Sequence, residues 1–268
     1  MSPTMPHEYF EPLPFGVGEN RLQRSTCEVI DLVVVGVEEG SAHSYGTGGN
    51  ECVLVVLTGT VDVTAAGRTW TALGGRTTVF DGPPTAVYLP RDTTVTITAS
   101  TAAEVALGLA TSDAAPIDPY LIEPAQVPTG QWGDGPTERH FSLIIDAERP
   151  SERLFAAEVI VADGSWATYP PHKHEVDAPD GSELFQEELY YYRVDPAPGI
   201  GLCALYGGKV GEDTAFVIRD RTVHKMPHGY HTVTAGPGYR VWYLAIYAGH
   251  AKAAQPFMDP DHRWYVTR

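Results

Sequence analysis

The chain has 268 residues, 43% of them hydrophobic, which is enough for one large or two modest domains with a packed core. Its formal net charge of -16 argues against nucleic acid or an anionic membrane surface as a partner, because phosphates would be repelled. Three widely spaced cysteines, Cys27, Cys52 and Cys203, form no C-x-x-C pair, which speaks against a disulfide framework or a thiolate zinc site and for buried thiols in a reducing compartment.

The opening MSPTMPHEYFEPLP has no basic flank and no apolar run, and no stretch is long enough to span a bilayer; a cytoplasmic location is the expectation. From residue 52 onward, short runs rich in Val, Thr and Ile follow one another between Gly, Pro and Asp: CVLVVLTG, TVDVTA, TTVF, AVYLP, TVTITAS and AEVALGLA. Their composition and spacing predict strands of a sandwich or barrel. Residues 112–136 break the rhythm with PIDPYLIEPAQVPTGQWGDGP, an ordered connector dense in Pro and Gly. Strand-type runs then resume, through FAAEVIVA, LYYYRV, GLCALYGG, TAFVIRD, HTVTA and YRVWYLAIYAG. The halves echo each other weakly: an acid opens an apolar run at Glu51 and at Glu188, and DGPPTAVYLPRDTTVTI parallels DRTVHKMPHGYHTVTA. A duplicated all-β fold is therefore predicted, with residues 1–135 as the first unit and 136–268 as the second.

The second half carries the chemistry. His172 and His174 are two apart and share a face of an extended strand, with Lys173 directed away. Glu188 opens the next strong strand, and His231 follows a Pro-x-Gly turn. Three imidazoles and one carboxylate suit a divalent first-row metal, whether Zn, Mn, Fe, Co or Ni. Glu187 and Glu188 alternate faces, so only one of them can join the set. With Glu188 inward, Tyr190 and Tyr192 are inward too. Glu175, Asp177, Asp180 and Glu183 read as a solvated acidic loop, Trp242 and Tyr243 as core, and His224, Lys225 and His228 as pocket mouth or surface.

H-x-H, then Glu, then P-x-G-x-H on successive strands resembles the cupin signature, with an unusually long gap between His174 and Glu188. The segments YPPHKHE, EELYYYR, VIRD, PHGYHTV, PGYRVWYL and DPDHRW together resemble the 5-deoxyglucuronate isomerase family of inositol catabolism, and FDGPPTAVYLPRDTTVTITA resembles its N-terminal half. The resemblance implies two tandem cupin barrels and one divalent metal ion in the C-terminal one, held by His172, His174, Glu188 and His231. It also implies aldose–ketose isomerisation of a small-molecule sugar acid. The N-terminal cupin offers Glu51 with only His43 upstream and no counterpart of His231, so it is expected to bind no metal. Arg139, Lys225 and Tyr169 are candidates to hold the substrate. For the proton transfer Tyr190, Tyr192, Tyr230, Glu187, His228 and a metal-bound hydroxide are all left open. The family's common Arg falls at Ala204 or Leu205, and this departure keeps open two other readings: a cupin metalloenzyme redirected to another sugar-derived acid, or a sugar-binding cupin without turnover. A homo-oligomer is expected by analogy, since two-cupin chains often pair through their strands.

Overall fold

A computed structural model describes residues 7–24 and 26–267. Their strands form four antiparallel sheets. The six-stranded sheet, with Asn50–Thr58 and Ala103–Thr111 at its centre, faces a four-stranded sheet containing Thr60–Ala65 and Thr94–Ala99. The seven-stranded sheet, centred on Gln186–Asp195 and Arg240–Gly249, faces a five-stranded sheet containing Trp166–Lys173 and Tyr230–Ala235. Alternating side chains on each central strand fill two different cores, as a period of two requires. Cys52, Leu54 and Val56 point into the N-terminal barrel, while Val53, Val55 and Leu57 point toward the other barrel. Likewise Tyr190 and Tyr192 line the C-terminal barrel, while Leu189 and Tyr191 meet the first. The two large sheets therefore pack back to back through a third core that includes Trp242, Leu244 and Ile246. Gly108 permits this approach, since a Cβ there would lie 2.3 Å from Ile246 Cδ1.

Two strands that precede the 135/136 division drawn from the sequence lie with the second half. Phe10–Pro12 adds to the edge of Thr222–Met226, and Thr129–Trp132 pairs with Arg139–Ile145, so both lie in the seven-stranded sheet. A reciprocal pair of buried glutamates fastens the halves. Glu51, in the six-stranded sheet, accepts the backbone N–H groups of Glu152, Arg153 and Leu154 at 2.8 Å each, where the chain enters the seven-stranded sheet. Glu187, in the seven-stranded sheet, accepts those of Glu28 and Val29 at 2.8 and 2.6 Å, where the chain enters the six-stranded one. The true counterpart of Glu51 is thus Glu187 and not Glu188; by strand register and face, the counterpart of Glu188 is Cys52, packed in an apolar interior.

The run TTVF, expected as a strand, is a turn. Asp81 Oδ2 accepts the N–H groups of Thr77 and Thr78 and the Thr77 hydroxyl, which diverts that backbone from any sheet. FAAEVIVA is a strand as expected, Phe155–Val161. Among the described residues no helix is long and apolar enough to cross a membrane.

Candidate metal centre and substrate cavity

His172 lies on Trp166–Lys173 with His174 just beyond its end, and His231 is the second residue of Tyr230–Ala235, paired directly with His172. Glu188, from the opposite sheet, is the third residue of Gln186–Asp195. These four bring one ligand atom each within 4.8 Å of one another. His174 Nε2 and His231 Nε2 both lie 3.1 Å from Glu188 Oε2.

The donor set fits a cation. The Nδ1–H of His174 donates to the Gln186 carbonyl at 2.6 Å, which directs Nε2 at the carboxylate. A neutral ring would set its lone pair against a carboxylate oxygen, so a positive charge, proton or metal ion, completes the arrangement. Among the described residues, His231 Nε2 is buried with no hydrogen-bond partner despite its closeness to Glu188. Burial opposes ionisation of Glu188, yet its contacts with His174 and His231 outweigh that and hold it well below the ordinary carboxylate range. Burial, with His231 and His174 alongside, holds His172 well below the ordinary imidazole range, and a neutral imidazole is the ligand form.

The cluster opens into a cavity of about 390 Å³, lined by His172, His174 and Glu188. Tyr190 lies on its wall, stacked on Tyr243 with ring centroids 4.2 Å apart. Burial, and then the charge of Glu188, pushes the Tyr190 hydroxyl well above the ordinary phenol range, so it is a hydrogen-bond donor. Arg139 also lines the cavity. Its Nη1 donates to the Thr137 carbonyl at 3.0 Å and its guanidinium lies 5.9 Å from the Trp132 ring centre. It makes no ion pair among the described residues, and burial pulls its pKa down. Tyr169 lines the same space, edge-on to Tyr265.

Three expected site residues are elsewhere. Lys225 does not reach the cavity: it is 1% exposed, and its Nζ pairs with Glu11 Oε1 at 2.6 Å and the Arg24 carbonyl at 2.8 Å, tying the N-terminal segment down. Tyr230 precedes His231 and so faces the opposite side of the strand, its ring beside Tyr206 and under the Lys173 ammonium. Tyr192 is inward but sits in the barrel core, outside the cavity lining. Of the other candidates for the proton, Glu187 is engaged between the barrels and His228 bonds the Tyr9 hydroxyl at 3.1 Å. His224 is fully buried, and burial lowers its pKa to about 3. The acidic loop is not wholly solvated: Glu175 and Glu183 are buried, each 2.8 Å from Lys173 Nζ.

The sequence reading missed Trp132, Gln186 and Tyr247 as cavity residues and placed Tyr243 in the core. Gln186 had a usable signal, because it shares strand parity with Glu188; the others arrive from neighbouring strands whose lateral order no local pattern reveals.

Lys225→Met leaves the Glu11 carboxylate buried without its cation and will lower unfolding free energy in urea by about 3–5 kcal/mol. Because Lys225 is remote from the cavity, kcat/KM of the folded variant will match that of the wild type; a selective rise in KM would return Lys225 to the site.

Two facing-sheet barrels back to back, one enclosing three histidines and a glutamate from both of its sheets, define a bicupin. The profile of the KduI/IolB family matches residues 18–265. The 5-deoxy-glucuronate isomerase of Geobacillus kaustophilus is 32% identical over 254 residues, covering 92% of this chain and 91% of that protein. The protein of the same name from Bacillus subtilis strain 168 is 30% identical over 94% of this chain and 93% of its own length. An IolB-like protein from Salmonella typhimurium superposes with a TM-score of 0.90 at 27% identity, over 96% of this chain and 99% of that one. Oxalate decarboxylase from Lactobacillus farciminis, at 10% identity and a TM-score of 0.68 over 99% of this chain and 92% of that one, shares the fold. The chain belongs to the KduI/IolB family, and it is an isomerase.

Proposed function

We propose that the protein converts 5-deoxyglucuronate to 5-dehydro-2-deoxygluconate, an aldose–ketose isomerisation, with a divalent ion held by His172, His174, Glu188 and His231. The observation that carries this reading is the meeting, in one cavity, of a cation-demanding cluster and a half-buried guanidinium with no ion pair among the described residues. The names of the relatives, which match over about nine tenths of the chain, support the same substrate. A divalent ion there supplies Lewis acidity toward a carbonyl oxygen. Arg139 binds the substrate carboxylate, the pairing for which a planar guanidinium is suited. Leu143, Val159, Pro256 and Met258 add apolar wall to the cavity. Of the three tyrosines expected to handle the proton moving between C2 and C1, Tyr190 is the one on the cavity wall.

Proton NMR of 5-deoxyglucuronate in deuterated buffer with the metal-loaded protein tests the reading. Loss of the C1 aldehyde and hydrate signals, with a new ketose and solvent deuterium at the carbon that was C1 of the substrate (C6 in the product's own numbering), is expected. Unchanged substrate with metal confirmed in the protein would redirect the cavity to another sugar-derived acid.

A further inference from the structure

Gln186 is a cavity residue whose main chain and side chain have separate tasks. Its N–H donates to the His174 carbonyl at 2.9 Å and its carbonyl accepts Nδ1–H of His174 at 2.6 Å, so the backbone alone orients a member of the cluster. The side chain is left over. It is 2% exposed, it lines the cavity, and its Nε2 has no hydrogen-bond partner among the described residues. A buried amide donor without a partner is uncommon in a folded protein and calls for an explanation in strain, water or ligand. Here the cavity it lines is the one the substrate enters.

The sheet register says which end of a substrate it would meet. Gln186, Glu188 and Tyr190 share one face of a strand, so Gln186 and Tyr190 flank Glu188 on opposite sides. Arg139 pairs with Val161, Val161 with Val241, and Val241 with Val194, which sets the Arg139 backbone level with the far end of the same strand. The Arg139 side chain lines the same cavity as Gln186 and enters it from the Tyr190 side of Glu188, so a sugar acid held at Arg139 by its carboxylate would direct its other terminus toward the Gln186 side. In an open-chain aldose acid that terminus is the aldehyde carbon, C1.

We propose that Gln186 is a catalytic residue whose Nε2–H donates to the C1 oxygen of the substrate. This rests on the isomerase reading of the cavity. When the proton leaves C2, the C2–H electron pair forms the C1–C2 double bond and the carbonyl π pair moves to the C1 oxygen. Return of a proton to C1, loss of the proton on the C2 oxygen and protonation of the C1 oxygen give the ketose, with no external oxidant or reductant. The charge gathers on the C1 oxygen only during this passage, so a fixed donor there favours the transition state over the bound aldose.

Gln186→Leu and Gln186→Met keep the bulk of the side chain and both backbone bonds to His174 while deleting the donor. Both variants should retain one equivalent of metal and lose about 10²-fold in kcat, with KM changed less than about threefold. A merely structural residue would not produce that split. A metal-loaded variant of either kind that keeps kcat within about threefold of wild type overturns the proposal; so does loss of metal from both, which would make Gln186 a support of the cluster. A wild-type protein without turnover sinks the isomerase reading and this proposal together, whereas wild-type turnover with undiminished variants sinks the role of Gln186 alone.

Discussion

Glu188→Gln will strip the protein of tightly held divalent metal and lower kcat/KM by more than the ~10–100-fold typical of losing an outer-shell partner. Glu188 is the one carboxylate among the four clustered residues, and His174 and His231 both converge on its Oε2. An amide of the same size keeps the shape but removes the negative charge that balances a divalent ion against three neutral imidazoles. The fold should survive, because Glu188 is paired within the strand ladder through its backbone, between Met226 and Tyr247. Metal content after dialysis, circular dichroism and turnover, measured together, check this. A folded, metal-free variant with wild-type kcat/KM would remove the metal from the account.

Arg139→Met will separate function from stability. The guanidinium is half-buried at the cavity without a carboxylate partner among the described residues, and desolvation pulls its pKa down. Truncating a buried charge that pairs with a ligand costs binding about 2–5 kcal/mol, so kcat/KM should fall by roughly 10²-fold or more, chiefly through KM. Arg139→Lys should restore only part of this, because an ammonium cannot present the planar two-pronged donor. In the absence of substrate the opposite sign is expected: replacing a half-buried cation that lacks an ion-pair partner by an apolar side chain should raise, not lower, unfolding free energy in urea. An unchanged KM would show that the carboxylate is held elsewhere.

Strand parity carried much of the site. The two-residue spacing of His172 and His174 puts both on one face, and parity from Glu188 puts Tyr190 and Gln186 inward with it. The same rule, applied from His231, already turns Tyr230 outward, and the cation–π contact with Lys173 confirms that side. Other features depend on tertiary arrangements that no local pattern records. Lys225 looks like a pocket cation until the N-terminal strand brings Glu11 to it from 214 residues away. Glu51 looks like a diverged metal ligand until its three backbone donors from residues 152–154 reveal a clamp between barrels. Tyr243 reads as core because it lies in a strongly apolar strand; only the lateral order of the seven-stranded sheet shows that this core wall is also the cavity wall.

The inter-barrel contact and the barrel interiors differ in kind. Val53, Val55, Leu189 and Tyr191 share one core across the back-to-back sheets, and a glutamate from each half clamps the other. The barrel interiors carry no such mutual constraint. One holds Glu188 among imidazoles; the other holds Cys52 in a tight apolar pack with Leu54, Val87 and Leu89.

The central claim is that one divalent ion sits among four side chains inside the C-terminal barrel. Anomalous diffraction from crystals of the metal-loaded protein, collected on both sides of the metal's absorption edge, tests it most directly. The account predicts one peak per chain, about 2.0–2.3 Å from a nitrogen of each of His172, His174 and His231 and from an oxygen of Glu188. A stoichiometric metal whose only peak lies away from those four atoms would contradict it.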